Sequence, residues 1–174
     1  MFVGEHARTD DEQSGIPFSG ASGRLFNQVL QRVGINRNET YVTNVLWEVP
    51  PSNNLEKLLV NKKELPSWYS YLPVKKNKFL PERFLSELPR LSREISEVDP
   101  NVIVAFGTFA CWALFAKNKI QDLRGFVHPC SLVPGKKVVA VYPPDYIQGV
   151  WRENFSFFNE PISPQLFAFS TTIT

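Results

Sequence analysis

The sequence has no long hydrophobic run, only two cysteines and almost no net charge. No apolar stretch among its 174 residues approaches the length of about 20 residues that crosses a bilayer, and no basic-then-apolar start indicates a secretory signal. We therefore expect a cytoplasmic protein with no membrane partner. Cys111 and Cys130 lie far apart and outside any CxxC pair, which argues against a disulfide framework or a cysteine metal site. With a formal charge of +2, any contact with nucleic acid has to come from a local basic patch.

The composition and the alternation of apolar segments predict one α/β domain over residues 1–174. Hydrophobic residues make up 43% of the chain, which is enough for a substantial core. Strand patterns occur at residues 1–3, 41–46, 101–106 and 138–142, and helix patterns occur at 21–33, at 82–98 and after Gly107. Because strands separated by helices usually pair in parallel, we expect a parallel sheet with helices on both of its faces.

An insertion of about residues 52–81 interrupts this alternation. It is polar, and it interleaves lysines with Trp68, Tyr69 and Tyr71. Because lysines and aromatic rings are the usual means of binding phosphates and unstacked bases, we predict DNA contacts for four of the lysines, namely Lys62, Lys63, Lys75 and Lys76. The alternative is an ordinary solvated loop, since a loop of this length in a compact domain is either functional or disordered.

Polar residues follow the first predicted strand closely. The strand runs into Gly4-Glu5-His6-Ala7-Arg8-Thr9-Asp10-Asp11, and Gly15-Ile16-Pro17-Phe18-Ser19-Gly20 follows shortly after. A buried strand that ends in such a turn brings its polar side chains to the carboxyl edge of the sheet, where open α/β folds bind their ligands. We therefore predict the functional site in this turn.

Four groups of motifs, in chain order, resemble those of the family-four uracil-DNA glycosylases. They are Gly4-Glu5 with Asp10-Asp11 and Gly15-x-Pro17-Phe18-x-Gly20-x-x-Gly23, then Tyr41-Val42-Thr43-Asn44-Val45 with Pro50-Pro51-Ser52-Asn53, then Pro100 to Gly107 with Leu123-Arg124-Gly125, and finally Tyr142-x-Pro144-x-Tyr146. The resemblance implies a three-layer α/β/α sandwich around a central four-stranded parallel sheet. It also implies DNA as the partner, and hydrolysis of the bond between an extruded pyrimidine and its deoxyribose, which leaves an abasic site.

The resemblance also implies roles for the residues in these motifs. Phe18 would stack on the extruded base, and Asn44 would hydrogen-bond its pairing edge. Glu5 and Asp11 would organise the attacking water and the developing positive charge on the sugar. Two further candidates come from the later motifs: Asn53 for the substrate and Tyr146 for DNA. The simpler alternatives are Phe18 as a core residue, and Asp10 and Asp11 as caps of a turn.

Two departures from the family pattern fall on functional positions. Family-four members usually carry four cysteines for an iron–sulfur cluster, whereas this chain has no N-terminal pair and has Glu48 and Glu87 at the other two positions. Because thiolates hold such clusters, we predict no cofactor and no metal. The final motif normally supplies a histidine that donates to the leaving base, and Pro143, which has no donor, stands in its place. His128 is a candidate replacement.

His6 and Arg8 are unusual for the family and suggest the mechanism. His6 stands where the wider superfamily activates water, and an imidazole with an ordinary pKa of about 6.5 can act as a base near neutral pH. The alternative is a surface histidine bonded to a nearby acid. Arg8 could donate to a phosphate, to the leaving base, or to a polar group on the fifth carbon of a modified pyrimidine. The alternative is a salt bridge to Asp10 or Asp11.

These residues predict a monofunctional DNA glycosylase, since no motif carries the lysine amine that a lyase step needs. We expect it to be a monomer. The predicted substrate is either plain uracil, in a repair role, or a 5-modified pyrimidine of the kind found in phage DNA, in antiviral defence. Asn44 does not distinguish them, because its amide can pair with uracil or with cytosine. The rival is a non-catalytic DNA-binding or replication-accessory module with the same fold.

Overall fold

A five-stranded sheet forms the centre of the protein. The computed structural model describes residues 1–147, so residues 148–174, the last part of the predicted single domain, lie outside the described residues. The strands, in chain order, are β1 Phe2–His6, β2 Val42–Leu46, β3 Val60–Asn61, β4 Lys78–Phe79, β5 Ile103–Phe106, β6 Val127–Pro129 and β7 Lys137–Val141. The central sheet has the order β2-β1-β5-β7-β6, and β3 and β4 form a separate antiparallel pair.

The four predicted strands of this sheet are parallel, and a fifth strand joins them. β1 pairs with β2 and β5, and β5 pairs with β7, all in parallel. The predicted α/β class is therefore confirmed. The short β6 runs antiparallel to β7 at the edge of the sheet. The sequence pattern does not predict β6. Val127 is 63% exposed, and the segment lacks the continuous apolar pattern of a buried strand.

Helices cover both faces of the sheet. They are α1 Thr9–Ser14, α2 Ala21–Arg32, α3 Glu87–Val98, α4 Gly107–Phe115 and α5 Ile120–Leu123. On β5, Ile103 and Ala105 pack in the larger core cluster with residues of α3 and α4, whereas Phe106 packs with Phe26 and Leu30 of α2. Successive strand residues point to opposite faces, so the three-layer arrangement is confirmed. Within residues 1–147, no helix is both long and apolar enough to cross a membrane.

The third helix begins later than its apolar spacing predicts. Residues Glu82–Phe84 form a 3₁₀ turn, and α3 begins only at Glu87. Pro89 therefore lies in the first turn of α3, where the missing N–H has no intrahelical partner to lose. The face that carries Leu91 and Ile95 is fully buried, so this helix is held against β2 and the core.

The insertion packs against the core and is not an open loop. It forms three 3₁₀ turns and the β3–β4 pair, the turns being Pro51–Asn53, Leu55–Lys57 and Lys62–Glu64. The indole N–H of Trp112 donates to the carbonyl of Leu72 at 2.8 Å. The rings of Tyr69 and Tyr71 lie 5.5 Å apart, and Tyr71 also packs on Trp112. These contacts engage two of the three aromatic rings expected to stack on DNA, whereas Trp68 is 57% exposed.

Candidate active site

A cleft opens at the carboxyl ends of β1, β2 and β5. It contains about 380 Å³ of empty space, including the part that is open to solvent. Six residues predicted for catalysis or substrate binding line it, namely Glu5, His6, Arg8, Asp11, Phe18 and Asn44. Gly4, Phe106 and the segment Pro143-Pro144-Asp145 complete the walls. The cleft therefore joins the first turn of the chain to the segment that follows β7.

The floor of the cleft depends on a glycine. A Cβ atom at Gly4 would lie 2.7 Å from Cε2 of Phe18 and closer still to Oδ1 of Asn44. The Phe18 ring also packs against Phe26 and Phe106, with centroids 5.4 and 5.6 Å away. Phe18 therefore packs in the core and also forms a wall of the cleft. The two alternatives considered from the sequence, a core residue and a residue of the site, are compatible.

The backbone around Phe18 explains the neighbouring glycines. Phe18 has a φ of 60°, a left-handed conformation that non-glycine residues adopt at a cost. A Cβ atom on Gly23 would overlap the carbonyl oxygen of Phe18. Only glycine at position 23 therefore lets the first turn of α2 approach the loop closely enough to hold this conformation.

Asn44 contributes an unpaired hydrogen-bond donor. The residue is 1% exposed, and its Nδ2 atom has no hydrogen-bond partner among the described residues. A buried amide nitrogen without a partner loses its hydration and gains nothing in return, which costs about 1–3 kcal/mol. A ligand in the cleft that offered an acceptor would recover this energy.

Glu5 lies against the start of α4. Its Oε1 accepts a hydrogen bond from the main-chain N–H of Phe109 at 2.8 Å. Gly107 permits this approach, because a Cβ there would lie 2.6 Å from Cδ of Glu5. Burial raises the pKa of Glu5, and the hydrogen bond from Phe109 opposes this effect. Glu5 is therefore shielded from solvent and faces the positive, N-terminal end of α4.

His6 is held as one tautomer. The residue is 8% exposed, and its Nδ1 lies 2.8 Å from the carbonyl oxygen of Ala7. Since a carbonyl can only accept, Nδ1 carries the proton and Nε2 of the neutral ring has a free lone pair. Burial lowers the pKa of His6, so the neutral form persists to lower pH than in an ordinary histidine. The surface location considered from the sequence is wrong.

Arg8 forms an ion pair with another residue that lines the cleft. Its Nη2 bonds to Oδ2 of Asp145, with each side chain 39% exposed. Among residues 1–147, Arg8 pairs with Asp145 and not with Asp10 or Asp11, the partners considered from the sequence. Asp145 is a cleft residue that sequence reasoning missed. Its only local signal is its place between Pro144 and Tyr146 in the final motif.

The side chain of Asp11 links the two ends of the segment between β1 and α2 through hydrogen bonds. Oδ2 accepts from the main-chain N–H of Arg8 at 3.1 Å, and Oδ1 accepts from the N–H and hydroxyl of Ser19 at 2.9 and 3.1 Å. Three donors from both ends of the loop leave this buried carboxylate with few free lone pairs. Its contacts join the start of α1 to the segment that carries Phe18.

The remaining predicted residues lie outside the cleft. Asn53 bonds to Thr9 through both its amide atoms, at 3.3 and 3.4 Å. Three of the predicted DNA-binding lysines are exposed and line no part of the cleft, and the fourth, Lys75, pairs with Glu56. Tyr146 is exposed beside the cleft and stacks on Tyr142.

His128 does not replace the missing histidine. On β6 it lies opposite Val138, towards the amino end of β7. Its ring packs edge-on against Phe115, and its Nε2 donates to the carbonyl of Leu123 at 2.9 Å. These contacts keep the ring away from the carboxyl ends of the strands.

A family model supports the resemblance seen in the motifs. The model for the uracil DNA glycosylase superfamily matches residues 1–164 of the 174. The chain belongs to this superfamily. It is 30% identical over 150 residues to the type-4 uracil-DNA glycosylase of Archaeoglobus fulgidus, and 26% identical over 147 residues to that of Thermotoga maritima. These alignments cover 83% and 84% of this chain, and the chain spans 64% and 65% of the relatives' lengths.

The described residues of this superfamily member do not fit an iron–sulfur cluster. Glu48 and Glu87, at two of the expected thiolate positions, pair instead with Arg83 and Arg90, with N–O distances of 3.5 and 2.7 Å. Burial raises the pKa of the Cys111 thiol to about 12, which opposes the thiolate form that iron needs. Within residues 1–147 no group of three or more histidine, cysteine or carboxylate side chains is arranged to hold a metal ion.

Proposed function

We propose that the protein is a monofunctional DNA glycosylase that hydrolyses the N-glycosidic bond of an extruded pyrimidine nucleotide. The observation that carries this proposal is the convergence of Glu5, His6, Phe18 and Asn44 on one cleft, with a buried amide donor left unpaired. The name that the type-4 relatives carry supports uracil as the base. The proposal extends to a monomeric, single-domain enzyme.

Binding of the base comes first in the proposed mechanism. Phe18 stacks on the pyrimidine ring, and the Nδ2 of Asn44 donates to a carbonyl oxygen on its pairing edge. The same donor is buried and has no partner among the described protein groups, so little further desolvation is needed when the base binds. A base that enters therefore gains most of the energy of this hydrogen bond.

Water then attacks the sugar. The Nε2 of His6 accepts a proton from the water as its oxygen bonds to C1′, and the C1′–N1 bond breaks with its electron pair going to the pyrimidine. The carboxylate of Glu5 stabilises the positive charge that develops on the sugar. The products are an abasic site and the pyrimidine anion. The anion takes a proton from solvent, and His6 releases the proton it accepted to solvent.

Arg8 supplies the donor that Pro143 cannot. Its guanidinium lines the cleft and is held by Asp145. A fixed cation beside the leaving pyrimidine stabilises the anion, and donors in this role are typically worth about 10²–10³ in rate. The same guanidinium favours a second substrate class, the 5-hydroxymethylpyrimidines, because it offers donors to a polar group on the ring.

The test is excision from defined single strands. Purified protein is incubated with oligonucleotides that carry one uracil, one 5-hydroxymethyluracil or one 5-hydroxymethylcytosine, and alkali then cleaves any abasic site. We expect cleavage at uracil, and a loss of about 10²–10³ in kcat for Asn44→Ala. Asn101→Ala, an exposed residue before β5, is the matched control. Salt-dependent binding with no cleavage of any strand would instead identify the non-catalytic module.

A further inference from the structure

The guanidinium of Arg90 donates hydrogen bonds to the main chain of β2, the strand that carries Asn44. Arg90 lies in α3, and its Nη2 donates to the main-chain carbonyls of Asn44 and Val45, at 2.7 and 2.9 Å. Asn44 is the residue whose side chain provides the unpaired donor in the cleft. Asn44 therefore contacts α3 through its main-chain carbonyl and lines the cleft with its side chain.

Two carboxylates hold Arg90 in this orientation. Its Nε donates to Glu87 at 2.7 Å, and its Nη1 donates to Glu94 at 2.5 Å. The three side chains are only 17–25% exposed, so solvent screens these contacts less than it screens surface ion pairs. Because a guanidinium is planar, acceptors on all three of its nitrogens leave it little freedom to rotate.

Among residues 1–147, β2 is an edge strand that pairs with β1 on one side only. Within this part of the chain, the sheet therefore restrains β2 less than it restrains β1 or β5. Across that pairing, Asn44 lies opposite Gly4, and a Cβ atom at Gly4 would meet both the Asn44 amide and the Phe18 ring. A small rotation of the strand would therefore move the Asn44 amide directly against or away from Phe18.

We propose that Arg90 is a positioning residue for the Asn44 amide, an inference that rests on the function proposed above. Arg90 holds the carbonyls of residues 44 and 45, and thereby sets where Nδ2 meets the edge of the pyrimidine. Misplacing a substrate-positioning group by about 1 Å can cost about 10² in rate. Loss of Arg90 should therefore impair recognition of the base while contacts with the DNA backbone persist.

The test separates base recognition from backbone binding. Affinity is measured for one strand carrying the non-hydrolysable 2′-fluoro-2′-deoxyuridine, and for the same strand carrying a tetrahydrofuran abasic analogue. For Arg90→Met, the ratio of affinity for the uridine strand to affinity for the abasic strand should fall at least tenfold. Its affinity for the abasic strand should equal that of wild type. Arg90→Lys, which keeps the charge but reaches fewer acceptors, should recover part of this preference for the uridine strand. Asn44→Ala should lose the same preference, and adding Arg90→Met to it should lose no more.

Arg83→Met is the matched control. It removes an arginine from an exposed pair with Glu48 that touches neither carbonyl of β2, and it should leave the preference unchanged. The inference is overturned if folded Arg90→Met keeps the preference, or if its loss adds fully to that of Asn44→Ala. If Arg90→Met does not fold, Arg90→Lys decides in the same way. Wild-type protein that fails to excise any pyrimidine refutes the proposed function itself, whereas wild-type excision with unaffected Arg90 variants refutes this inference alone.

Discussion

Replacement of Gly4 by alanine adds a single methyl group to the floor of the cleft and should strongly reduce the rate of excision. The added Cβ would lie 2.7 and 2.8 Å from two atoms of the Phe18 ring, and closer still to Oδ1 of Asn44, whereas ordinary van der Waals contact lies at 3.4–4 Å. Both side chains would have to move by about 1 Å, a displacement that can reduce a rate by about 10² when it affects a positioned group. We therefore expect Gly4→Ala to lower single-turnover excision of uracil by about 10² or more.

The control is an alanine substitution that fills no space. Gly34 has a φ of +73°, and a Cβ there would meet nothing within 4 Å. Gly34→Ala should cost about 1 kcal/mol of stability through backbone strain and leave the excision rate unchanged. Circular dichroism and thermal melting establish that Gly4→Ala is folded. A folded Gly4→Ala variant that excises uracil at the wild-type rate would refute the assignment of Phe18 and Asn44 to the base site.

Four further predictions concern the cleft and the insertion. Excision should rise with pH and level off below the pH expected for an ordinary histidine, because burial lowers the pKa of His6; His6→Gln should lose this limb and about 10²–10⁴ in kcat. Because burial raises the pKa of Glu5, the folded state loses stability as pH rises through the unfolded and then the folded pKa of this group. Glu5→Gln should therefore melt higher than wild type at pH 7, with little difference at pH 4, and should excise poorly. Asp145→Asn should lower kcat about tenfold by releasing its arginine, with a smaller change in KM. Replacing Lys62 and Lys63 by alanine should reduce the salt slope of single-strand affinity by about 0.7 for each phosphate that the protein no longer neutralises; an unchanged slope would remove the insertion from the DNA-binding surface.

The resemblance in the motifs predicts the grouping of Glu5, Phe18 and Asn44, and the strand pattern gives a physical reason for it. Each residue lies in or soon after a segment whose apolar pattern marks a buried parallel strand, and parallel strands end at the same edge of their sheet. The motif spacing therefore carries three-dimensional information even though β1 and β2 are some forty residues apart in the chain. The tautomer of His6 follows only from the structure, because it depends on a carbonyl that the local backbone turns towards the ring.

The contacts of Arg90 and Asp145 are beyond the reach of sequence patterns. Arg90 bonds to the carbonyls of β2 across 45 and 46 positions of sequence, and Asp145 meets Arg8 across 137. No local period encodes such pairs, because ion pairs between distant segments depend on how the elements pack. The packing of the insertion escapes sequence patterns for a related reason. Its apolar residues, such as Val74 and Leu80, are buried but follow neither a helical nor a strand period.

The position of Arg90 also bears on how the protein avoids self-association. An unprotected outer strand offers main-chain acceptors to any other polypeptide and so invites intermolecular β-pairing. Here a guanidinium already occupies two carbonyls of the outer strand β2 and places a charge, with its two carboxylate partners, beside it. We therefore expect the same side chain to disfavour pairing of another polypeptide with β2.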